Sequence, residues 1–282
     1  MAKATAVTRT WFRVVLARPG STPIVVAAEG EHLGLAIAAA EAHVKGSFAI
    51  ACDRSVDPIP LGESVGKRGV VELADDASAS TEFRWPRGVL PKIGVTSKVR
   101  AGYTVHKDPK LLVIEAQTTA DKLVDLYLGL LERLPSADNL EIRVLDHFDQ
   151  VDYTAVWLTS RVDGKRILSF LDDHDVELLE NGHVEMSIYV RAKKATLRLT
   201  EHKTVVWLSD GDELRPDVTR WMTELGLSPI EPFVTVAAGA HEHYRAAKSR
   251  DREELEKYLY RQRLRRVDKV VARPARGPDT DG

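Results

Sequence analysis

Histidine is the residue type in this chain best suited to hold a metal ion, and two short runs place histidines among other ligand types. His241 and His243 stand two residues apart. On a strand both imidazoles would point to the same face and could bind one ion. A catalytic zinc site needs three protein ligands, and here no third ligand stands at a fixed spacing, although folding can bring His202 to the pair. The alternative for this run is a polar strand end in contact with solvent.

The densest acidic run, Asp-Asp-His-Asp at 172–175, is a second candidate metal site. The pair His174 and Asp175 on a helix can bind a metal that activates water, provided that other His and Asp ligands converge on it. His147 upstream and Asp210 or Asp212 downstream are possible partners. The alternative is that these acidic residues occupy the first turn of a helix, where its partial positive charge favours them.

Three other chemistries are disfavoured. The single cysteine, Cys52, lies in an apolar run that is typical of a buried, inert thiol. Residues 62–68 resemble a phosphate-binding loop, but only three residues separate the glycines and Arg68 follows the lysine, where a Ser or Thr should bind magnesium. No Gly-x-Ser-x-Gly motif is present. We therefore predict no cofactor, and because no catalytic set assembles, the sequence favours a non-enzymatic protein.

The C-terminal segment departs most clearly from the average composition. Between Arg245 and Arg276, twelve basic residues against five acidic ones give a local charge of +7, whereas the whole chain carries −2. Such a segment can bind nucleic-acid phosphates or an acidic protein surface, or it can dock on the acidic remainder of its own chain. The residues predicted to bind a protein partner or nucleic acid are Arg250, Arg252, Lys257, Arg261, Arg263, Arg265 and Arg266.

The elements that must position these residues alternate between strands and helices. Apolar runs predict strands at residues 11–16, 24–28, 48–52, 70–73, 111–114, 140–145, 154–158, 184–190, 195–199, 204–208 and 233–236. Helical spacing of apolar residues predicts helices at residues 31–44, 118–134, 170–179, 216–225 and 249–267. Ser169 is expected to cap the third helix, and residues 200–203 are expected to form a tight hairpin. The strands flanking the second helix should run parallel if they share a sheet.

This pattern predicts an α+β fold of two lobes, with mixed or largely antiparallel sheets, helices on one face and a C-terminal basic helix. Residues 1–100 form the N-terminal lobe, which ends in a connection rich in Pro and Gly. Residues 101–245 form the C-terminal lobe. Residues 246–282 form the basic helix and a disordered tail.

The bulk composition narrows the setting of the protein. A hydrophobic fraction of 44% is ordinary for a globular chain, and a lone cysteine cannot form an intramolecular disulfide. No segment resembles a signal peptide or a membrane span, so we expect a soluble protein in the cytoplasm of a bacterium that does not bind membranes. The first hypothesis is a regulatory or interaction protein acting through its basic C-terminal helix. Nucleic-acid binding by that helix and metal-dependent hydrolysis at the Asp/His clusters are the alternatives.

Overall fold

A computed structural model of the protein describes residues 10–54, 69–73, 83–95, 98–106, 108–146 and 152–271. Within these ranges the chain forms six α-helices and fourteen strands in three antiparallel sheets, which confirms the predicted α+β class. None of the described helices combines the length and the apolar character that crossing a membrane requires. Residues 62–68, which resemble a phosphate-binding loop, and His147 lie outside the described residues.

The N-terminal sheet has four strands in the order β3-β1-β2-β4. Its strands are β1 (Thr10–Ala17), β2 (Ile24–Gly30), β3 (Phe48–Arg54) and β4 (Val70–Leu73). Helix α1 (Leu33–His43) follows β2, so the predicted strand-strand-helix-strand run is confirmed. Ala36, Ile37 and Ala40 of α1 are buried in one cluster with Val14 and Val26 of the sheet.

The large sheet has eight strands in the order β14-β9-β8-β10-β11-β12-β7-β6. These strands are β6 (Gly102–His106), β7 (Leu111–Gln117), β8 (Asn139–Val144), β9 (Tyr153–Leu158), β10 (Val184–Val190), β11 (Ala195–Leu199), β12 (Val205–Asp210) and β14 (Arg265–Val271). Every neighbouring pair is antiparallel. Strands β7 and β8 flank a helix and stand four places apart in this ladder. They therefore run in the same direction, as predicted.

Helices cover one face of the large sheet. They are α2 (Leu123–Arg133), α3 (Gly164–Asp172), α4 (Asp175–Leu178), α5 (Arg215–Glu224) and α6 (Arg252–Arg261). Side chains alternate along β11, so Leu197 and Leu199 face the core, where Tyr127 of α2 and Trp207 of β12 are fully buried. Arg198 projects to the opposite face.

A third, two-stranded sheet pairs β5 (Val89–Pro91) with β13 (His241–His243). It belongs to the N-terminal core, because Val236 and Tyr244 are buried in the same cluster as Val89. A backbone hydrogen bond of 3.0 Å from Gly182 N to Tyr244 O joins this core to the loop before β10, and one of 2.9 Å from Tyr244 N to Gly88 O extends the two-stranded sheet. The division of the chain into separate domains stays a prediction.

Three predicted elements differ in the structure. Residues 170–179 are the end of α3 and the short α4, because Asp163 and not Ser169 caps α3 by accepting from Arg166 N at 2.9 Å. Residues 233–236 are not a strand; a 3-10 turn begins at Val236. The helix expected over 249–267 ends at Arg261, because Arg263 adopts a left-handed conformation with φ of 64° and the residues from 265 onward pair with the edge strand β9.

Candidate metal centre

The turn between β11 and β12 presents His202. Thr200 N donates to Thr204 O and Lys203 N donates to Thr200 O, both at 3.0 Å, which closes the hairpin expected at this position. Lys203 is fully buried with a φ of 61°. Its Nζ donates to Asn181 O at 2.6 Å and to Val184 O at 3.3 Å. These two bonds hold the turn, and with it His202, against the start of β10.

Strand β13 presents the other two histidines. His241 is opposite Pro91 and His243 is opposite Val89 in the pairing with β5, so both imidazoles lie on the same face. Glu242 projects to the other face, where Lys92 Nζ lies 3.0 Å from its carboxylate. The same-face prediction for His241 and His243 is therefore matched by the geometry of the strand.

His202, His241 and His243 converge at the junction between the two cores. Among the described residues they form a group whose candidate ligand atoms all lie within 4.8 Å of one another. The Nε2 atoms of His202 and His241 are 3.1 Å apart. Two imidazole nitrogens bound tetrahedrally to zinc at about 2.05 Å would be separated by roughly 3.3 Å. The spacing of this pair is thus within a few tenths of an ångström of the value for two zinc ligands.

Backbone carbonyls orient two of the three rings. His241 Nδ1 lies 2.7 Å from Gly239 O, and His243 Nδ1 lies 2.9 Å from Gly182 O. A carbonyl can only accept a hydrogen bond, so each Nδ1 carries the hydrogen and each neutral ring keeps a lone pair on Nε2. Metal-binding histidines usually donate their second ring N–H in this way. The ring of His202 completes the group as the donor to Nε2 of His241, and a bound metal would replace that hydrogen.

The charges around the three histidines suit a cation. Glu201 Oε1 lies 3.7 Å from His202 Nε2. Burial lowers the pKa of Lys203 to about 7, although nearby carboxylates, among them that of Glu201, act in the opposite direction. This lysine therefore repels a neighbouring cation less than an exposed lysine would. Burial, reinforced by Glu242 and Asp53, raises the pKa of the Cys52 thiol well above its usual range, so Cys52 stays protonated and is a poor metal ligand.

The second candidate site, His174 with Asp175, lies apart from this group. His174 Nε2 contacts the hydroxyl of Tyr258 on α6. Asp175 begins α4, and its Oδ1 accepts from Val176 N at 2.6 Å. Asp172 ends α3, so the run does not sit in the first turn of one helix as expected. Metal binding by His174 and Asp175 stays a prediction.

The basic residues of the C-terminal segment divide into two sets. Arg250 Nη1 is paired with Glu177 at 2.9 Å, while Arg252 Nε and Arg266 Nη1 lie 2.9 and 3.4 Å from the carboxylate of Glu256. Lys257 is paired within α6. The remaining residues are exposed and make no ion pair with a described residue; they are Arg261, Arg263 and Arg265.

Part of this centre was accessible from the sequence. The spacing of His241 and His243 identifies the pair, and the predicted hairpin at 200–203 contains His202. The role of Glu201 and the two glycine carbonyls was missed, because a carbonyl carries no signal in its residue type. A Cβ built on Gly182 would lie 1.8 Å from Gly88 O, so the close backbone approach that places this carbonyl requires glycine.

Comparison of this chain with known protein families, with curated proteins and with solved structures finds no match. Any functional conclusion therefore depends on the chemistry of the three imidazoles and the groups that surround them.

Proposed function

We propose that this protein is a zinc-dependent hydrolase whose metal is held by His202, His241 and His243. The observation that carries the proposal is the convergence of three imidazoles from two separate cores, two of them oriented by backbone carbonyls. Neutral imidazole is a preferred ligand of zinc and of neighbouring divalent transition metals. Structural zinc sites have four protein ligands, whereas catalytic sites have three and leave one position for water.

His202, His241 and His243 would hold the zinc, and the ion would supply an activated water for hydrolysis. Zinc lowers the pKa of a bound water to about 7, which provides hydroxide at neutral pH. Glu201 is suitably placed to accept the proton, since its carboxylate lies 3.7 Å from a metal-facing nitrogen. In such a reaction the water oxygen would form a bond to the electrophilic carbon or phosphorus of the substrate, the bond to the leaving group would break, and Glu201 would return the proton to the leaving group.

Zinc content tests the site itself. Protein purified without a histidine tag and dialysed against buffered zinc should hold one zinc per chain, measured by elemental analysis. His243→Ala should lose the metal, because it removes one of the three ligands. His106→Ala is the matched control, since that exposed histidine is paired with Glu115 on the large sheet. Wild-type protein without stoichiometric zinc would disprove the proposal.

The variant Glu201→Gln separates a catalytic from a structural centre. If Glu201 is the base, the variant keeps its zinc and its rate of ester or phosphodiester hydrolysis falls by about 100-fold or more. If the variant loses zinc instead, Glu201 is a fourth ligand and the centre is closed. A closed centre, or hydrolysis that does not change when zinc is removed by a chelator, would contradict the hydrolase proposal.

We also propose the bacterial cytoplasm as the location of this activity. The single cysteine is buried and unpaired, as is common in reducing compartments.

A further inference from the structure

A shallow cavity of about 460 Å³ lies between the second half of α6 and the edge of the large sheet. On the sheet side, Arg266 of β14 stands opposite Trp157 of β9, so both side chains project from the same face. This is the face on which α6 packs, because Trp157 is buried in one cluster with Leu255 and Leu259. The volume is within the range of roughly 300–1,000 Å³ that is typical of small-molecule sites. The walls are Trp157, Glu256, Lys257, Tyr260, Arg261 and Arg266.

The helical wall of this cavity is one side of α6. Tyr260 follows Glu256 by four residues, and Arg261 follows Lys257 by four, so these side chains are neighbours on the helix surface. Glu256 Oε2 lies 3.4 Å from Arg266 Nη1, and this ion pair joins the helix to the strand. The six side chains therefore surround one space.

The charges of the walls favour an anion. Three cations, Lys257, Arg261 and Arg266, stand against the single carboxylate of Glu256, which gives the walls a net charge of +2. That carboxylate is also paired with the buried Arg252, whose Nε lies 2.9 Å from it, so it repels an incoming anion little. A phosphate monoester carries a charge of about −1.5 to −2 at pH 7 and would neutralise the walls.

Two of the three cations are accessible to a ligand. Arg261 is exposed and makes no ion pair with a residue that the structure describes. Lys257 Nζ lies 2.5 Å from Glu253 Oε1, but both side chains are largely exposed, and such pairs are weak. The ammonium of Lys257 can therefore exchange this partner for a phosphate oxygen.

The two aromatic rings of the cavity differ in exposure. Trp157 is 5% exposed, so its indole lies at the base of the cavity, whereas Tyr260 is 74% exposed and stands at the rim. A large ring so exposed is unusual in a folded protein. Its flat face beside cations is the arrangement on which a nucleobase stacks.

We propose that this cavity binds a nucleoside monophosphate, with the base stacked on Tyr260 and the phosphate bound by Lys257 and Arg261. Guanidinium and ammonium groups form charge-assisted hydrogen bonds with phosphate oxygens. The net charge of +2 matches one phosphate monoester better than a triphosphate. Inorganic phosphate alone would use the cations and leave the ring of Tyr260 without a contact.

Three probes separate the two contacts. Adenosine monophosphate, adenosine and inorganic phosphate are each titrated into the full chain and followed by isothermal calorimetry. Adenosine monophosphate should bind at least about fivefold more tightly than phosphate, because it alone adds stacking to the charge contacts, and adenosine should bind more weakly still. Equal affinity for phosphate and adenosine monophosphate, or no detectable binding of the nucleotide at about 1 mM, would overturn the proposal.

Variants of the two contacts give a second test. Tyr260→Ala should weaken nucleotide binding at least about fivefold and leave phosphate binding unchanged, whereas Tyr260→Phe keeps the ring and should bind as the wild type does. Arg261→Gln should weaken the binding of both nucleotide and phosphate. Arg265→Gln is the matched control, since this exposed arginine stands opposite Leu158 and projects from the other face of the sheet.

The control also guards against an effect of overall charge. If Arg265→Gln weakens nucleotide binding as much as Arg261→Gln does, binding follows the net charge of the chain and the assignment to the cavity is wrong. Should Arg261→Gln not fold, the three probes on the wild type and the two Tyr260 variants still decide the question.

A strand of polyadenylate without terminal phosphates distinguishes a free nucleotide from a nucleic acid. If the strand displaces labelled nucleotide more effectively, per nucleotide, than adenosine monophosphate does, the cavity recognises a strand and the proposal fails. The cavity shares no residue with the three-histidine centre. A chelator that removes zinc should therefore leave nucleotide binding unchanged.

Discussion

Zinc should stabilise the folded protein, and His202→Ala should remove that stabilisation. His202 is on the turn of the large sheet, whereas His241 and His243 are on the strand that belongs to the N-terminal core. A bound ion would therefore add a link between two cores that already meet through backbone hydrogen bonds, side-chain hydrogen bonds and a salt bridge. The unfolded chain has no such preformed site, so the free energy of metal binding adds to the free energy of folding.

The size of the effect follows from mass action. With free zinc at 100 times the dissociation constant, the folded state gains about 2.7 kcal/mol. An unfolding entropy of about 2.1 cal/mol/K per residue over 282 residues then gives a rise of roughly 4–5 °C in the unfolding midpoint. Loss of one ligand should weaken zinc binding by about 100-fold or more, given that even partners outside the ligand shell contribute 10–100-fold. At the same zinc concentration His202→Ala should then gain about 0.4 kcal/mol at most, a rise of less than about 1 °C.

Differential scanning calorimetry measures this directly, with each protein scanned in zinc and in a chelator. Comparing each variant with itself removes the intrinsic effect of the substitution, which is small because His202 is only half-buried on a turn. His174→Ala serves as the control, since its imidazole contacts Tyr258 away from the centre. If His202→Ala keeps the full rise, or if His174→Ala loses it, the three-histidine assignment is wrong.

Three further outcomes are expected. Protons compete with the metal for imidazole nitrogen, so zinc affinity measured by chelator competition should fall as the pH is lowered. A constant affinity between pH 7.5 and 5.5 would exclude histidine ligands. Burial raises the pKa of Cys52, so a thiol reagent at pH 8 should label it only in denaturant. The unfolded chain releases the thiol proton near pH 8.5 while the folded chain keeps it, so Cys52 should lower the free energy of unfolding as the pH rises beyond 8.5. Rapid labelling of the native protein would contradict the burial of this thiol. Gly182→Ala should cost about 1–3 kcal/mol and weaken zinc binding, because a Cβ there meets Gly88 O at 1.8 Å, whereas Gly164→Ala has room and should cost little by urea denaturation.

Local patterns predicted most of the elements correctly. The apolar periodicity of residues 24–28 and 195–199 depends on near neighbours in the chain, and both are strands in the structure. In the C-terminal segment, by contrast, the local pattern predicted a helix that is too long. Residues 249–261 have helical spacing, but the residues from 265 onward join the open edge of β9, a strand more than a hundred residues earlier. Pairing with a distant strand overrides local helical preference, so the sequence alone could not place the end of that helix.

The basic residues of the C-terminal segment also could not be divided from the sequence alone. The sequence identified all seven as one binding set, since composition does not say which way a side chain points. In the fold, Arg252 is buried and donates to the carbonyls of Leu145 and Tyr153, so it supports the core. Arg261 and Arg263 remain exposed. Only the packing of α6 against the large sheet determines which of the seven residues are buried or paired and which are exposed.

For the candidate metal centre, the sequence by itself determined that His241 and His243 share a face, because the two-residue period of a strand is a property of the backbone. It also determined that His202 lies on a turn. Tertiary structure decided that the turn and the strand meet, that Gly182 O and Gly239 O orient two of the rings, and that His174 lies elsewhere. The physical reason is that His202 and His241, which are 39 positions apart, are brought together by sheet register and by the close backbone approach of Gly182 to Gly88.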